Sequence, residues 1–112
     1  MKIKVAEEVP AEKVDAPGAV GATIRWLIRE TDGAPNFCMR HFTLAPGGST
    51  PHHSHPWEHE AYVLAGAGVA FTPDGDVPIS AGTFIFVAPN EEHWFRNTGT
   101  GEMKFLCMVP RT

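Results

Sequence analysis

Short stretches of alternating apolar and polar residues run along this chain, and turns rich in Gly and Pro separate them. In residues 22–30, Ile24, Trp26 and Ile28 fall on one side, and two arginines lie among the residues on the other. Side chains two apart in a strand point to the same face, so this pattern predicts a half-buried strand. Comparable segments predict further strands at 37–44, 61–64, 68–72, 77–80, 83–87, 93–96 and 103–109.

Turn signals set the limits of these strands. We expect the second strand to end at residues 45–48 (APGG), and residues 73–76 (PDGD) predict a hairpin turn. The segment 83–87 (TFIFV) is almost wholly apolar, so we expect it to be buried on both faces. The best helix candidate, residues 6–16, is interrupted by Pro10. Many short strands without a helix predict an all-β sandwich or barrel in one domain.

Composition excludes several classes of function. The net charge is −4, the sequence pI is about 5.8, and no Lys/Arg run is present, which argues against a nucleic-acid partner. The N-terminus lacks the apolar region of a signal peptide, and no apolar stretch approaches the length of a membrane span. Cys38 and Cys107 are too few for a disulfide framework, so we expect a cytoplasmic protein.

Four of the six histidines, His53, His55, His59 and His93, are candidates for one metal site. Imidazole is the commonest metal ligand in proteins. His53 and His55 project from the same face of an extended chain, and a small loop at Pro56-Trp57 would bring His59 back beside them. His93 belongs to a different strand, so it would approach from across the barrel. The pattern predicts three local ligands and one distant ligand.

The spacing around the first three histidines resembles the first motif of the cupin family, in which Gly and a His-x-His pair are separated by five residues. Here five residues separate Gly47 from His53-x-His55, three separate His55 from His59, and six separate His59 from Gly66. In the second motif, Gly82 and His93 have the family's ten residues between them, and Asn97 follows after three more. Two departures occur: Pro89 lies one place late, and the middle Gly is replaced within residues 90–92.

This resemblance covers about residues 40–109 and implies a double-stranded β-helix, the jelly-roll cupin barrel. We expect one domain over residues 1–112, with an N-terminal strand segment at 1–36. The family usually has Glu as its third ligand. Counting back from Gly66 selects His59, whereas the alternative spacing selects Glu60. With His59, the chain is similar to small bacterial single-domain cupins that have a four-histidine manganese site.

The resemblance implies one divalent ion per chain, manganese first, with Fe, Zn, Ni or Cu as alternatives. Four neutral imidazoles leave such an ion with its full charge of +2, so the site should attract anionic or enolate ligands. A six-coordinate ion keeps two positions for water, oxygen or substrate. A tetrahedral ion is closed and structural.

Strand parity predicts which side chains surround the metal. With His93 inward, Phe95 should also point inward, and on the last strand Phe105 and Cys107 should do so. His41 and Arg40 are further candidates for a catalytic role in the pocket, although a strand histidine is more often a packing residue and a buried Cys often only packs. Glu60 and Asn97 are candidates for a position behind the ligands. Glu60 would orient an imidazole there or else lie in solvent, and Asn97 would support the site or else cap a turn.

The remaining apolar side chains on these strands face away from the barrel interior. Their apolar surface is larger than a monomer usually exposes to solvent. We therefore expect a homodimer, with the N-terminal strand pairing across the dimer interface. The outward set comprises Tyr62, Leu64, Trp94, Leu106 and Met108.

These features favour a metal-dependent enzyme of oxygenase or oxidoreductase type that acts on a small oxygen-rich or anionic molecule. The ligands themselves are not acid–base groups, so the chemistry would fall to the metal. A small-molecule binding or sensing cupin without catalysis, a metal-dependent lyase or isomerase, and a structural barrel with a closed zinc remain alternatives, because a fold does not fix a function.

Overall fold

The computed structural model of this chain describes residues 1–111, and the all-β prediction is confirmed. The described residues contain nine β-strands and two single 3-10 turns, at Ala6–Glu8 and Glu30–Asp32. The strands are β1 (Glu12–Lys13), β2 (Val20–Ile28), β3 (Phe37–Ser49), β4 (His59–Ala65), β5 (Ala67–Thr72), β6 (Gly75–Ser80), β7 (Phe84–Val87), β8 (Trp94–Asn97) and β9 (Met103–Pro110). No helix in this part of the chain is long and apolar enough to cross a membrane.

The strands form one curled antiparallel sheet of the jelly-roll type, in the order β6-β5-β8-β3-β9-β4-β7, with β2 on β3 and β1 on β2. The long strand β3 holds the barrel together. Its first part pairs with β9 from Phe37 to Leu44, and its last residue, Ser49, pairs with Arg96 of β8. One continuous strand therefore joins the two halves of the sheet and forces the sheet to curl.

Strand β3 does not stop at residues 45–48 as expected. It continues to Ser49 because the glycines there allow a close backbone approach: a Cβ on Gly48 would lie 2.7 Å from the Val20 carbonyl oxygen. The irregularity appears instead as a register shift between Val20 and Ala22 on β2. This continuation delivers the chain to the histidine segment.

The inward face of the sheet forms the core. Leu44, Val63 and Met103 are completely buried, and Phe42 stacks on Phe105 with ring centroids 5.1 Å apart. These positions alternate with exposed or half-buried ones along β3, β4 and β9, as a half-buried strand requires.

The expectation that residues 83–87 are buried on both faces is wrong. Val87 is buried, but Phe84 is 80% exposed and Phe86 is 59% exposed. The cause is the missing cover on one face: β7 pairs with β4, and the outward side chains of both strands, including Tyr62 and Phe84, are exposed. The apolar run therefore combines one buried face with one exposed aromatic face.

Candidate metal centre

A backbone bridge places the distant histidine opposite the local ones. His53 and His93 exchange backbone hydrogen bonds of 3.4 and 3.1 Å. Three residues earlier in the chain, Thr50 donates its N–H to the Phe95 carbonyl at 2.9 Å and accepts the Phe95 N–H on its hydroxyl at 2.8 Å. The extension of β3 is thus joined to the start of β8, and the site is assembled by ordinary strand pairing.

Three imidazoles, those of His53, His55 and His93, share one hydrogen-bonding pattern. Each places Nδ1 against a backbone carbonyl oxygen, which can only accept a hydrogen bond. Nδ1 therefore carries the proton in each neutral ring, and each Nε2 keeps a free lone pair. The ligand atoms of these three residues lie within 4.8 Å of one another. The carbonyl partners belong to Pro51, Trp57 and Glu91, at 3.0, 2.7 and 2.8 Å.

His59 stands beside this group on the buried face of β4. Its Nε2 lies 2.8 Å from Nε2 of His93, and its Nδ1 lies 2.8 Å from Sγ of Cys107. A proton on Nε2 would be donated to His93. A proton on Nδ1 is donated to Cys107, and then two Nε2 lone pairs face each other, an arrangement that needs a cation between them.

The donor set fits a divalent metal ion. Two imidazole nitrogens bound at right angles to an ion at about 2.1 Å lie about 3 Å apart, close to the 2.8 Å between Nε2 of His59 and His93. The Nε2 lone pairs of His53 and His55 are also available here, because Nδ1 of each ring faces a backbone carbonyl oxygen. His53, His55 and His93 are the residues that could hold the ion, with His59 in contact with one of them.

Glu60, the alternative to His59, does not point towards this group. It follows His59 on β4, so its side chain lies on the opposite, solvent-exposed face. His52 likewise lies outside the site and stacks on Trp94, with ring centroids 4.4 Å apart.

Asn90 explains how the second motif tolerates its altered sequence. It stands where the family motif has its middle Gly, and its φ is +66°, in the left-handed region that Asn adopts more readily than most residues. Its N–H donates to the His55 carbonyl at 2.7 Å. The departure in sequence therefore preserves the loop conformation and ties it to a candidate ligand.

Burial favours the neutral form of His53, His59 and His93. It lowers the pKa of His59 to about 3, with the nearby His93 and the Arg40 charge adding to the effect. Burial is also the main cause that lowers the pKa of His53 and of His93. Neutral imidazoles are the form that binds metal, so these rings are available as ligands at neutral pH.

The histidines open into a cavity of about 270 Å³ with mostly apolar and aromatic walls. Trp57 lies against His55, with ring centroids 4.5 Å apart and an angle of 9° between the planes. None of the residues that line this cavity is Asp or Glu. The remaining lining residues are Val14, Ile24, Trp26, Arg40, Phe42, Thr50, Pro51, Phe95, Phe105 and Cys107.

Arg40 and Cys107 are opposite partners on β3 and β9, and the guanidinium donates to Sγ at 2.9 Å. Burial raises the pKa of the Cys107 thiol, although Arg40 acts in the opposite direction. Since His59 contacts the same sulfur, Arg40, Cys107 and His59 form a continuous chain of contacts.

Two predicted site residues are not brought to the cavity. His41 is buried but lies on the other face of β3 from Arg40 and Phe42, because successive strand residues alternate. Asn97 closes the turn after β8: its Nδ2 donates to the Leu44 and Gly101 carbonyls, and its Oδ1 accepts from the Gly99 N–H.

Sequence reasoning missed several of the wall residues, above all Trp57 and Thr50. Trp57 lies in the short loop between His55 and His59, where strand parity gives no direction. Alternation puts Trp26 and Ile24 on one face of β2. Only the pairing of β2 with β3 shows that this face lines the cavity.

The family model described as Cupin domain (Cupin_2) matches residues 40–109. This chain therefore belongs to the cupin domain family, and the expected jelly-roll fold is confirmed.

Several known proteins are similar to this chain in sequence and structure. The structure of the polyketide cyclase RemF from Streptomyces resistomycificus is 38% identical, with a TM-score of 0.93, over 100% of this chain and 80% of that one. A predicted oxalate decarboxylase from Thermotoga maritima is 27% identical, with a TM-score of 0.88, over 99% of this chain and 100% of that one. The oxalate-binding protein of Thermotoga maritima is 40% identical over 67 residues, 59% of this chain and 55% of that protein. The chain thus spans little more than half the length of that curated relative.

Proposed function

We propose that this chain is a metal-dependent enzyme that cyclises a flat, largely apolar substrate bearing neighbouring carbonyl groups. One divalent ion, manganese first, is held by His53, His55, His59 and His93. The observation that carries the proposal is the convergence of these imidazoles at one end of an otherwise apolar and aromatic cavity. The likeness to the polyketide cyclase RemF supports the reaction class.

The reaction is an intramolecular aldol condensation, which is redox-neutral. A methylene carbon between two carbonyls gives up both of its hydrogens as protons and forms a C=C bond to a carbonyl carbon further along the same molecule. The oxygen of that carbonyl takes up the two protons and leaves as water. A divalent ion supplies Lewis-acid polarisation of the carbonyl oxygens, which acidifies the methylene C–H. The aromatic walls, including Trp26, Trp57 and Phe95, hold the flat body and exclude water.

The oxygenase or oxidoreductase function expected from the sequence is the second candidate. The cavity walls offer no carboxylate for acid–base chemistry, which favours a reaction performed at the metal itself. This candidate consumes oxygen or another oxidant, whereas the cyclisation consumes none.

Metal content and turnover test both candidates. The purified protein is analysed for metals and incubated with a synthetic aromatic poly-β-ketone thioester while dissolved oxygen and product mass are followed. We expect about one divalent ion per chain, loss of one water per ring formed and no oxygen uptake. His93→Ala should remove most of the metal and the turnover. Oxygen uptake with a gain in substrate mass supports the second candidate, and binding without turnover supports a sensing role.

A further inference from the structure

Arg40 is a cationic wall of the cavity that the proposed metal centre does not use. Its guanidinium lies over two aromatic rings, 5.1 Å from the centroid of Phe42 and 5.7 Å from that of Trp26. Cation–π contacts and strand pairing hold it on the inner face of β3, where it lines the same cavity as the histidines.

The charge of Arg40 has no counter-ion within residues 1–111. Its side chain donates to the Cys107 sulfur, a weak acceptor, and its Nε is buried without a hydrogen-bond partner. No carboxylate lines the cavity, and the ion pair found in the described residues, Lys2 with Asp32, lies elsewhere. A partly buried cation without an anionic partner is costly, so such a group is normally completed by a ligand.

The electrostatic effect of this charge reaches the metal centre. After burial and His93, Arg40 is the next contributor to lowering the pKa of His59. A divalent ion on neutral imidazoles adds further positive charge to the same cavity. Metal and guanidinium would then act on a single bound molecule.

We infer that Arg40 binds an anionic oxygen of the substrate, a carboxylate or enolate, while the aromatic walls contact its apolar body. This assignment rests on the proposed metal-dependent function and names its ligand class: a flat apolar molecule with an anionic oxygen group. Arg40 is therefore a specificity-determining residue. Its two-pronged donor geometry suits a carboxylate better than a lysine would.

Matched probes test the assignment. Benzoate carries the anionic group, and benzamide has nearly the same shape without the charge. Calorimetry on the metal-analysed wild-type protein should give benzoate at least about tenfold tighter binding than benzamide. Arg40→Gln should lower this preference to what the metal alone supplies and leave benzamide binding unchanged, whereas Arg40→Lys should retain part of the Arg40 contribution. Arg96→Gln, an exposed arginine on β8, is the control and should behave as wild type.

The same titrations in His93→Ala separate this inference from the metal centre. An Arg40-dependent benzoate preference that survives in this variant supports the inference even if elemental analysis finds no metal in the wild type. A preference as large in Arg40→Gln as in wild type, or equal binding of the two probes by wild type, overturns it. Circular dichroism and unfolding midpoints verify that each variant is folded, and Arg40→Lys carries the test if Arg40→Gln is not.

Discussion

Along the paired strands β3 and β9, three successive inward-facing residue pairs change from apolar to aromatic to polar. Leu44 opposite Met103 is completely buried and apolar, Phe42 opposite Phe105 is an aromatic stack, and Arg40 opposite Cys107 is a polar contact at the cavity. We call the first pair, with Val63, the packed half and the last pair, with the histidines, the site half. The same two strands thus build a close-packed core and a pocket, and only side-chain identity distinguishes them.

The largest expected effect lies in the packed half. Leu44→Ala should lower the free energy of unfolding by about 2–5 kcal/mol, because it leaves a cavity among completely buried side chains. Urea denaturation measures the loss, and elemental analysis should still find the wild-type metal stoichiometry in the folded variant. Phe84→Ala, at an exposed position, is the control. Loss of the metal without loss of stability would contradict the division into two halves.

Substitutions in the site half should change the metal affinity rather than the free energy of unfolding. His59→Ala should weaken metal binding more than about 100-fold, beyond the usual effect of losing a group that only orients a ligand. Glu60→Ala should leave the affinity nearly unchanged, since its side chain is exposed on the other face of β4. Competition with a chromogenic chelator gives both constants. The reverse order would restore the usual arrangement of three His and one Glu.

Cys107 should affect the metal through His59. Metal binding requires the His59 proton on Nδ1, where the sulfur accepts it at 2.8 Å. Cys107→Ala should weaken metal binding about 10–100-fold, and Cys107→Ser, which retains an acceptor, should lie nearer wild type. The chelator competition applies again. Equal effects of both substitutions would indicate that the sulfur contributes packing rather than a hydrogen bond.

Acid should destabilise the metal-free protein through the site half. The folded-state pKa of His59 is about 3, below its unfolded value of 6.5, so the unfolded chain binds the extra proton between these values. Stability contributed by the neutral ring is present above about pH 6.5 and is lost as pH falls towards 3, by at most about 1.4 kcal/mol per pH unit for this group. Urea denaturation at several pH values gives the slope. His59→Gln should flatten it; an unchanged slope would assign the effect to other groups.

Substitutions on the outer face of β4 and β7 should have the smallest effect on the packed half and the site half. The homodimer expected from the sequence remains a prediction, and the exposed Tyr62, Leu64, Phe84 and Phe86 favour this face for it. Light scattering should give a dimer mass for wild type and a monomer mass for Phe86→Glu, with metal affinity unchanged. Phe37→Glu, at another exposed phenylalanine, is the control. A monomeric wild type would contradict the prediction.

Alternation was enough to predict an all-β fold, because it depends on local geometry. The jelly-roll barrel and the meeting of His93 with His53 and His55 followed from the resemblance of the motif spacing to the cupin family. The prediction that residues 83–87 are buried on both faces was wrong because composition does not reveal which face of a strand is left uncovered. His41 lies outside the cavity because it alternates with Arg40 along β3. Trp57 and the contact between Arg40 and Cys107 depend on loop conformation and on strand register, and neither is encoded in local spacing.

The backbone bridge between His53 and His93 makes the amide of His93 a built-in reporter. Its N–H donates to the His53 carbonyl at 3.1 Å, so this amide exchanges with solvent only when the two segments part. An ion that links both side chains would oppose that separation. The deuterium uptake of a single amide would then measure metal occupancy even for an ion that has no colour and no unpaired electron.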